Sequence, residues 1–131
     1  MQRFFTTLGA PLVLLLVAAP AAAQQEMAMK APQGKDYTVT GTVIDVSCKF
    51  GQGLSGESHR MCSQVCADKG IPLAILSSDG TLYVPVSAGM PGESQNGRLK
   101  EFAEQTVTVK GKVFEAGGAR AIQIESVSRK L

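Results

Sequence analysis

Four residues with metal-binding side chains lie close together in the middle of the chain. Cys48, His59, Cys62 and Cys66 form the pattern Cys-x10-His-x2-Cys-x3-Cys, and they include every cysteine and the single histidine of the sequence. Three thiols and one imidazole are a tetrahedral donor set for zinc, and the sulfur atoms would equally suit Cu(I). The pattern therefore predicts a copper or zinc site with these four residues as ligands. Because the Cys-x2-Cys-His pattern of covalent c-type haem attachment is absent, haem is not expected.

The last three ligands are spaced as on one face of a helix. In an ideal α-helix, His59 and Cys66 would lie about 10.5 Å apart along the axis. That is too far to share an ion bound at about 2.0 to 2.3 Å. A four-ligand site therefore requires His59 to lie at or before the helix cap; otherwise Cys48, Cys62 and Cys66 bind the ion and His59 stands at the rim. Asp45 is the carboxylate that could orient His59, although an exposed strand position is the simpler expectation for it.

A disulfide is the alternative use of the same cysteines. Cys62 and Cys66 suit one poorly, because Cβ atoms four residues apart on a helix are about 5–6 Å apart and a disulfide needs about 3.8 Å. A bond from Cys48 to either residue would close a loop of about 15 to 19 residues and stabilise the domain by about 3 kcal/mol. Three is an odd number, so one thiol would remain beside His59 and could serve thiol redox chemistry. Unpaired cysteines buried as small apolar residues are a further alternative.

The beginning of the chain has the three parts of a secretory signal peptide. Arg3 gives a positive start, an uncharged stretch rich in Leu, Val and Ala follows, and Ala21-Ala22-Ala23 offers the small residues that a signal peptidase reads. The apolar stretch is about a dozen residues, whereas a membrane-spanning helix needs roughly 20. We therefore expect a signal peptide over residues 1–23, a flexible tether over 24–35 and one domain over 36–131. The mature chain would be periplasmic or secreted, without a membrane span.

Composition and motifs exclude several classes of function. The chain has 13 Lys and Arg against 11 Asp and Glu, two Tyr and no Trp. No basic block is interleaved with aromatic residues, so nucleic-acid binding is not expected. The sequence also lacks a G-x-S-x-G elbow, a Walker glycine loop and a pair of catalytic carboxylates. These absences favour a protein that is not an enzyme.

Alternation of apolar and polar residues predicts five strands, over residues 37–48, 73–76, 81–86, 107–113 and 122–127. A phase slip at Val43 and Ile44 predicts a bulge or bend in the first strand. Residues 49–57 contain three glycines and are predicted to form a loop. One helix is predicted over 58–69, capped by Ser55 or Ser58 and ended by Gly70. A shorter helix is predicted over 98–104, with Leu99 and Phe102 facing inward.

Two strands have the related sequences YTVTGTVIDV and QTVTVKGKVF, with Gly41 and Gly111 at similar positions. Short, strongly curved strands with such glycines are typical of a small Greek-key barrel. The predicted fold is mainly β: a five-stranded OB-fold-like barrel, with one helix inserted between strands 1 and 2 and a short helix before strand 4. A five-stranded SH3-like barrel has the same periodicities.

The run DVSCKF, then GESHRMCSQVCADKGIPLAIL, and the closing VTVKGKV and AIQIESV resemble a family of small exported bacterial proteins. Proteins of that family are similar in having a Cys, then His-x2-Cys-x3-Cys, then Gly-Ile/Val-Pro. The resemblance covers about residues 38–128. It implies an OB-like barrel and export, and it implies no particular activity.

The leading functional hypothesis is that an exported barrel binds a copper or zinc ion in an accessory or metal-handling role. The first alternative is a module stapled by a disulfide from Cys48 to Cys62 or Cys66, which binds a protein or another envelope ligand through the barrel face. The second alternative is a thiol redox protein.

Overall fold

A computed structural model describes residues 32–130. The predicted signal peptide and most of the predicted tether lie outside these residues. The described part contains β1 (Lys35–Asp45), α1 (Val46–Gln52), α2 (Arg60–Asp68), β2 (Leu73–Ser77), β3 (Leu82–Pro85), α3 (Asn96–Leu99), β4 (Thr106–Ala116) and β5 (Ala119–Arg129). Short 3-10 turns precede α2 (Glu57–His59) and follow α3 (Lys100–Phe102). Within this part of the chain, no helix is long and apolar enough to cross a membrane.

The five strands form a closed barrel in the order β1-β2-β3-β5-β4. β3 and β5 pair in parallel over three residues, and every other neighbouring pair is antiparallel. β1 pairs with β4 over residues 35–42 and with β2 over residues 41–45, so it turns from one neighbour to the other along its length. This architecture confirms the predicted mainly-β, OB-fold-like barrel.

Two glycines allow the long strands to coil. A Cβ at Gly41 would lie 2.6 Å from the carbonyl oxygen of Leu76, and a Cβ at Gly111 would lie 2.2 Å from that of Gln123. Both approaches are closer than van der Waals contact permits, so only glycine fits at either position. The pairing of β4 with β5 shifts register between Lys110 and Gly111. Of the bulge or bend predicted at residues 43–44, the bulge is absent, because β1 stays in register with β2 through Asp45.

The barrel interior is filled by alternate residues of the strands and closed by side chains from the helices. Ala67 of α2 and Leu99 of α3 belong to the same buried cluster as the strand residues. Phe102 packs against that cluster, which confirms the inward face predicted for the second helix. The strand members of the cluster are Val39, Val43, Leu73, Ile75, Tyr83, Val107, Val109, Ile122 and Ile124.

The insertion between β1 and β2 contains more helix than the single one predicted. Asp45 caps α1, since its Oδ1 accepts a hydrogen bond of 2.9 Å from the Cys48 amide. Gly53, at φ 70°, ends α1 in the left-handed conformation. Cys48 therefore lies in the first turn of a helix, and the chain just beyond it is not the loop that its glycines indicated.

α2 begins one residue later than a Ser58 cap would place it, and four residues later than a Ser55 cap would. His59 is the N-cap residue of α2, and its side chain makes no capping hydrogen bond. Gly70, at φ 89°, ends α2 as predicted, and the Ile71 amide bonds back to the Cys66 carbonyl. Asn96 fixes this end of the helix: its amide donates to the carbonyls of Ala67 and Ile71, and its Oδ1 accepts from the Leu73 amide.

Candidate metal centre

The three thiols come together although they belong to two helices. Cys48 is in α1, Cys62 and Cys66 are in α2, and their sulfur atoms all lie within 4.8 Å of one another. Thiolates bound to one zinc ion at about 2.3 Å in tetrahedral geometry lie about 3.8 Å apart. The cluster therefore needs a contraction of at most about 1 Å between sulfurs to close around an ion. All three cysteines are free, and no pair is bonded as a disulfide.

A second group of ligand atoms shares Cys48. A carboxylate oxygen of Asp45, the sulfur of Cys48 and an imidazole nitrogen of His59 also lie within 4.8 Å of one another. His59 meets the condition that the sequence set for a ligand, because it stands at the cap of α2 and not inside the helix. His59 therefore lies close to Asp45 and Cys48, and Cys48 is the residue it shares with the three-sulfur group.

The second group is buried, and two of its polar atoms have no partner. Asp45 is fully buried and His59 is 7% exposed. Within residues 32–130, neither Asp45 Oδ2 nor His59 Nε2 has a hydrogen-bond partner. A buried polar atom left in this state costs about 1–3 kcal/mol. A cation held between the two side chains would offset that cost.

The carboxyl group of Asp45 favours its charged form although it is buried. Burial raises its pKa, but the Cys48 amide and the nearby thiols of Cys66 and Cys48 outweigh burial, and the pKa lies below its ordinary value. The cluster therefore contains a permanent negative charge at neutral pH, which attracts a cation.

The thiols of Cys48 and Cys66 favour their protonated forms, because they are close to the charged Asp45 carboxylate and because of burial. The pKa of Cys66 is raised to about 12, first because the Asp45 carboxylate stabilises the protonated thiol and then because of burial. Burial, followed by Asp45, raises the pKa of Cys48. An ion that binds here must displace these protons, so binding releases protons to solvent.

Glu104 ties the insertion to the barrel, and nothing in the sequence pattern singled it out. Its Oε1 accepts a 2.6 Å hydrogen bond from the buried Ser63 hydroxyl, and its Oε2 accepts a 2.8 Å bond from the Gly56 amide. Ser63 follows Cys62 in α2, and Gly56 precedes the turn that ends at His59. Glu104 itself is buried, with φ 60°, a conformation that few non-glycine residues adopt. Its carboxylate therefore fixes the start of α2 and the two ligands there.

We expect Glu104→Ala to lower the free energy of unfolding by about 2–4 kcal/mol, because it removes two hydrogen bonds to a charged acceptor and leaves a buried hydroxyl unpaired. Urea unfolding followed by circular dichroism measures the change. Glu101→Ala is the matched control, since Glu101 is exposed and its side chain makes no contact of this kind. Equal stabilities of the two variants would contradict the role assigned to Glu104.

The three cysteines differ in their exposure to solvent. Cys62 is exposed and Cys66 is half-buried, whereas Cys48 is buried. Four large apolar side chains of the insertion are also exposed: Phe50, Leu54, Met61 and Val65. One side of the three-sulfur group therefore faces solvent.

The structure thus brings together the residues that the spacing indicated, in two overlapping groups. The expectation that Asp45 lies on an exposed strand face is wrong, because both faces of β1 are covered where the chain enters the insertion. Which of Cys48, His59, Cys62 and Cys66 bind an ion, and whether Asp45 orients His59 or is itself a ligand, stays a prediction.

Comparison with protein-family models, with curated proteins and with solved structures finds no match for this chain. The resemblance to small exported bacterial proteins therefore stays a prediction, and the interpretation of the site depends on its geometry.

Proposed function

We propose that this protein binds one soft or borderline metal ion, copper or zinc, and serves an accessory or metal-handling role in the periplasm or outside the cell. The ligands come from Cys48, His59, Cys62 and Cys66. The observation that carries the proposal is that three free thiols from two helices lie within 4.8 Å of one another, and that one of them, Cys48, lies equally close to a histidine and a carboxylate.

The arrangement around Asp45 and His59 is costly for a purely structural core. An apolar residue at position 59 would avoid the burial of an unpaired nitrogen. Asp45 caps α1 with Oδ1, but its Oδ2 is buried without a partner. Groups of this kind are retained where they bind an ion or a ligand, because the bound species repays their desolvation. The clustering of nitrogen, oxygen and sulfur donors supports a metal more strongly than any other ligand.

The exposure of Cys62 supports handling in preference to a closed structural role. Structural zinc sites fill all four coordination positions with protein ligands, whereas an ion that is exchanged must be reached from outside. With one ligand in solvent and the others progressively more buried, an ion can enter and leave along the Cys62 side. Export, which the predicted signal peptide implies, would place this site in a compartment where free thiols oxidise and a bound ion protects them.

The test is a binding stoichiometry. Protein purified from cells that express the full chain is reduced without air and dialysed against Cu(I) or Zn(II) buffered by a chelator, and elemental analysis then counts the ions. We expect about one ion per chain for at least one metal. We also expect the triple variant Cys48→Ser, Cys62→Ser, Cys66→Ser to retain none, and Ser58→Ala to behave as the wild type. No bound ion at chelator-limited concentrations in the micromolar range would contradict the proposal.

Thiol redox chemistry is the second candidate, because the three sulfur atoms already lie close together. Oxidation by a disulfide donor such as oxidised glutathione would bond Cys48 to Cys62 or Cys66, and two equivalents of reduced glutathione would form for each bond. Intact mass after alkylation counts the remaining thiols. One alkylated thiol per chain in protein that is purified unreduced and holds no metal would favour this candidate over metal binding.

A further inference from the structure

We propose that the cluster offers two ligand sets that share Cys48, and that the class of ion selects between them. Cu(I) binds the three sulfur atoms of Cys48, Cys62 and Cys66, whereas Zn(II) binds Asp45, Cys48 and His59. This inference rests on the proposed metal-binding function and deepens it, since it assigns a different coordination to each ion. The thiolate of Cys48 belongs to both sets.

Charge separates the two sets. Zn(II) with the carboxylate of Asp45, the thiolate of Cys48 and the neutral imidazole of His59 has no net charge. A neutral unit is the only kind that a buried position accepts at low cost, and all three of these residues are less than 10% exposed. Cu(I) with three thiolates has a net charge of two negative units. That set includes the exposed Cys62 and the half-buried Cys66, where water stabilises the charge.

Ligand softness leads to the same division. Cu(I) prefers thiolate sulfur, and a borderline divalent ion accepts nitrogen and oxygen together with sulfur. The two unpartnered atoms, Asp45 Oδ2 and His59 Nε2, belong to the nitrogen and oxygen donors. A divalent ion between them would satisfy both, whereas an ion held by the three sulfurs need not contact either.

The test compares both ions across matched variants. Dissociation constants for Cu(I) and Zn(II) are measured on the full chain by competition with chromophoric chelators. We expect Cys62→Ser to weaken Cu(I) by about 100-fold or more and to change Zn(II) by less than about threefold; loss of a group that only supports a ligand already costs about 10- to 100-fold. We expect His59→Gln to show the reverse pattern. Asp45→Asn keeps a cap for α1 and should also weaken Zn(II) selectively. Ser58→Ala, beside His59, is the control for both ions.

Wild-type protein provides a second measurement that does not depend on whether a variant folds. Co(II) replaces Zn(II) in such sites, and the intensity of its sulfur-to-cobalt charge-transfer absorption increases with the number of thiolates. We expect the intensity of one thiolate, judged against the Co(II) complexes of reference proteins with one and three cysteine ligands.

The crossed pattern of variants together with a one-thiolate cobalt spectrum supports the proposal. A three-thiolate spectrum, or an equal loss of both metals in Cys62→Ser, overturns the two-set proposal and leaves metal binding intact. Failure of the wild type to bind either ion overturns the proposed function as well.

Discussion

Cys48→Ser weakens both Cu(I) and Zn(II) by about 100-fold or more, whereas removal of any other single ligand weakens one ion selectively. Cys48 is the member common to both groups of ligand atoms. A serine hydroxyl is a poor ligand for either ion at neutral pH, so the variant loses a bond in each set. Chelator competition with the two ions measures the effect.

The control for Cys48→Ser is its stability without metal. Serine has nearly the shape of cysteine, and Asp45 can still cap α1 because the cap uses the backbone amide of residue 48. We therefore expect the free energy of unfolding of the metal-free variant to fall by no more than about 1–2 kcal/mol. Retention of wild-type affinity for either ion would show that Cys48 is not the shared ligand.

Gly111→Ala has the largest expected effect on stability. The new methyl group would lie 2.2 Å from the Gln123 carbonyl oxygen and 3.2 Å from the Ile124 Cα, both in the backbone of the neighbouring strand. Backbone atoms of β5 cannot move aside without breaking the ladder that closes the barrel. We expect a loss of about 3 kcal/mol or more, at or above the upper end for overpacking, measured by chemical unfolding.

Gly97→Ala is the matched substitution for Gly111→Ala. Gly97 lies in α3, and a Cβ there would meet no atom within 4 Å. Alanine is favoured over glycine in a helix by about 1 kcal/mol, so this variant should be as stable as the wild type or more stable. If Gly111→Ala is also tolerated, the close approach of β4 and β5 does not explain why glycine is there.

The barrel could be predicted because its determinants are local. Period-two alternation defines the faces of β1, β4 and β5, and Gly41 and Gly111 indicate where those strands coil. Asp79 and Gly80 likewise fix the hairpin between β2 and β3. The side chain of Ser77 and the Thr81 amide both donate to Asp79, which lowers the pKa of that carboxyl to about 2. These features act over a few residues and leave a clear pattern in the sequence.

The insertion was less predictable because its glycines gave a misleading signal. Gly51 and Gly53 indicated a loop, yet Gly51 lies inside α1 and Gly53 ends it. The sequence does contain the signal for this helix: Asp45, an N-cap residue, stands eight positions before Gly53, which is suited to a helix end. The burial of Asp45 could not be predicted from the alternation of β1 either, because that alternation ends where the insertion begins to cover the strand.

The residues that hold the site in place could not be predicted from spacing. Glu104 and Asn96 belong to no recognisable motif, and their partners lie 23 to 48 residues away. Only the folded barrel brings these partners into contact. By contrast, the positions of Cys62 and Cys66 relative to His59 follow from helix geometry and from where the helix begins.

X-ray absorption at the metal edge tests most directly whether the cysteine cluster holds the ion. Protein loaded with one equivalent of Cu(I), and separately with one equivalent of Zn(II), gives the identity and distance of the nearest atoms. We predict a shell of sulfur alone around copper and a mixed shell with at least one sulfur, at about 2.3 Å, around zinc. A shell of only nitrogen and oxygen around both ions would contradict the account, because the bound metal would then lie away from Cys48, Cys62 and Cys66.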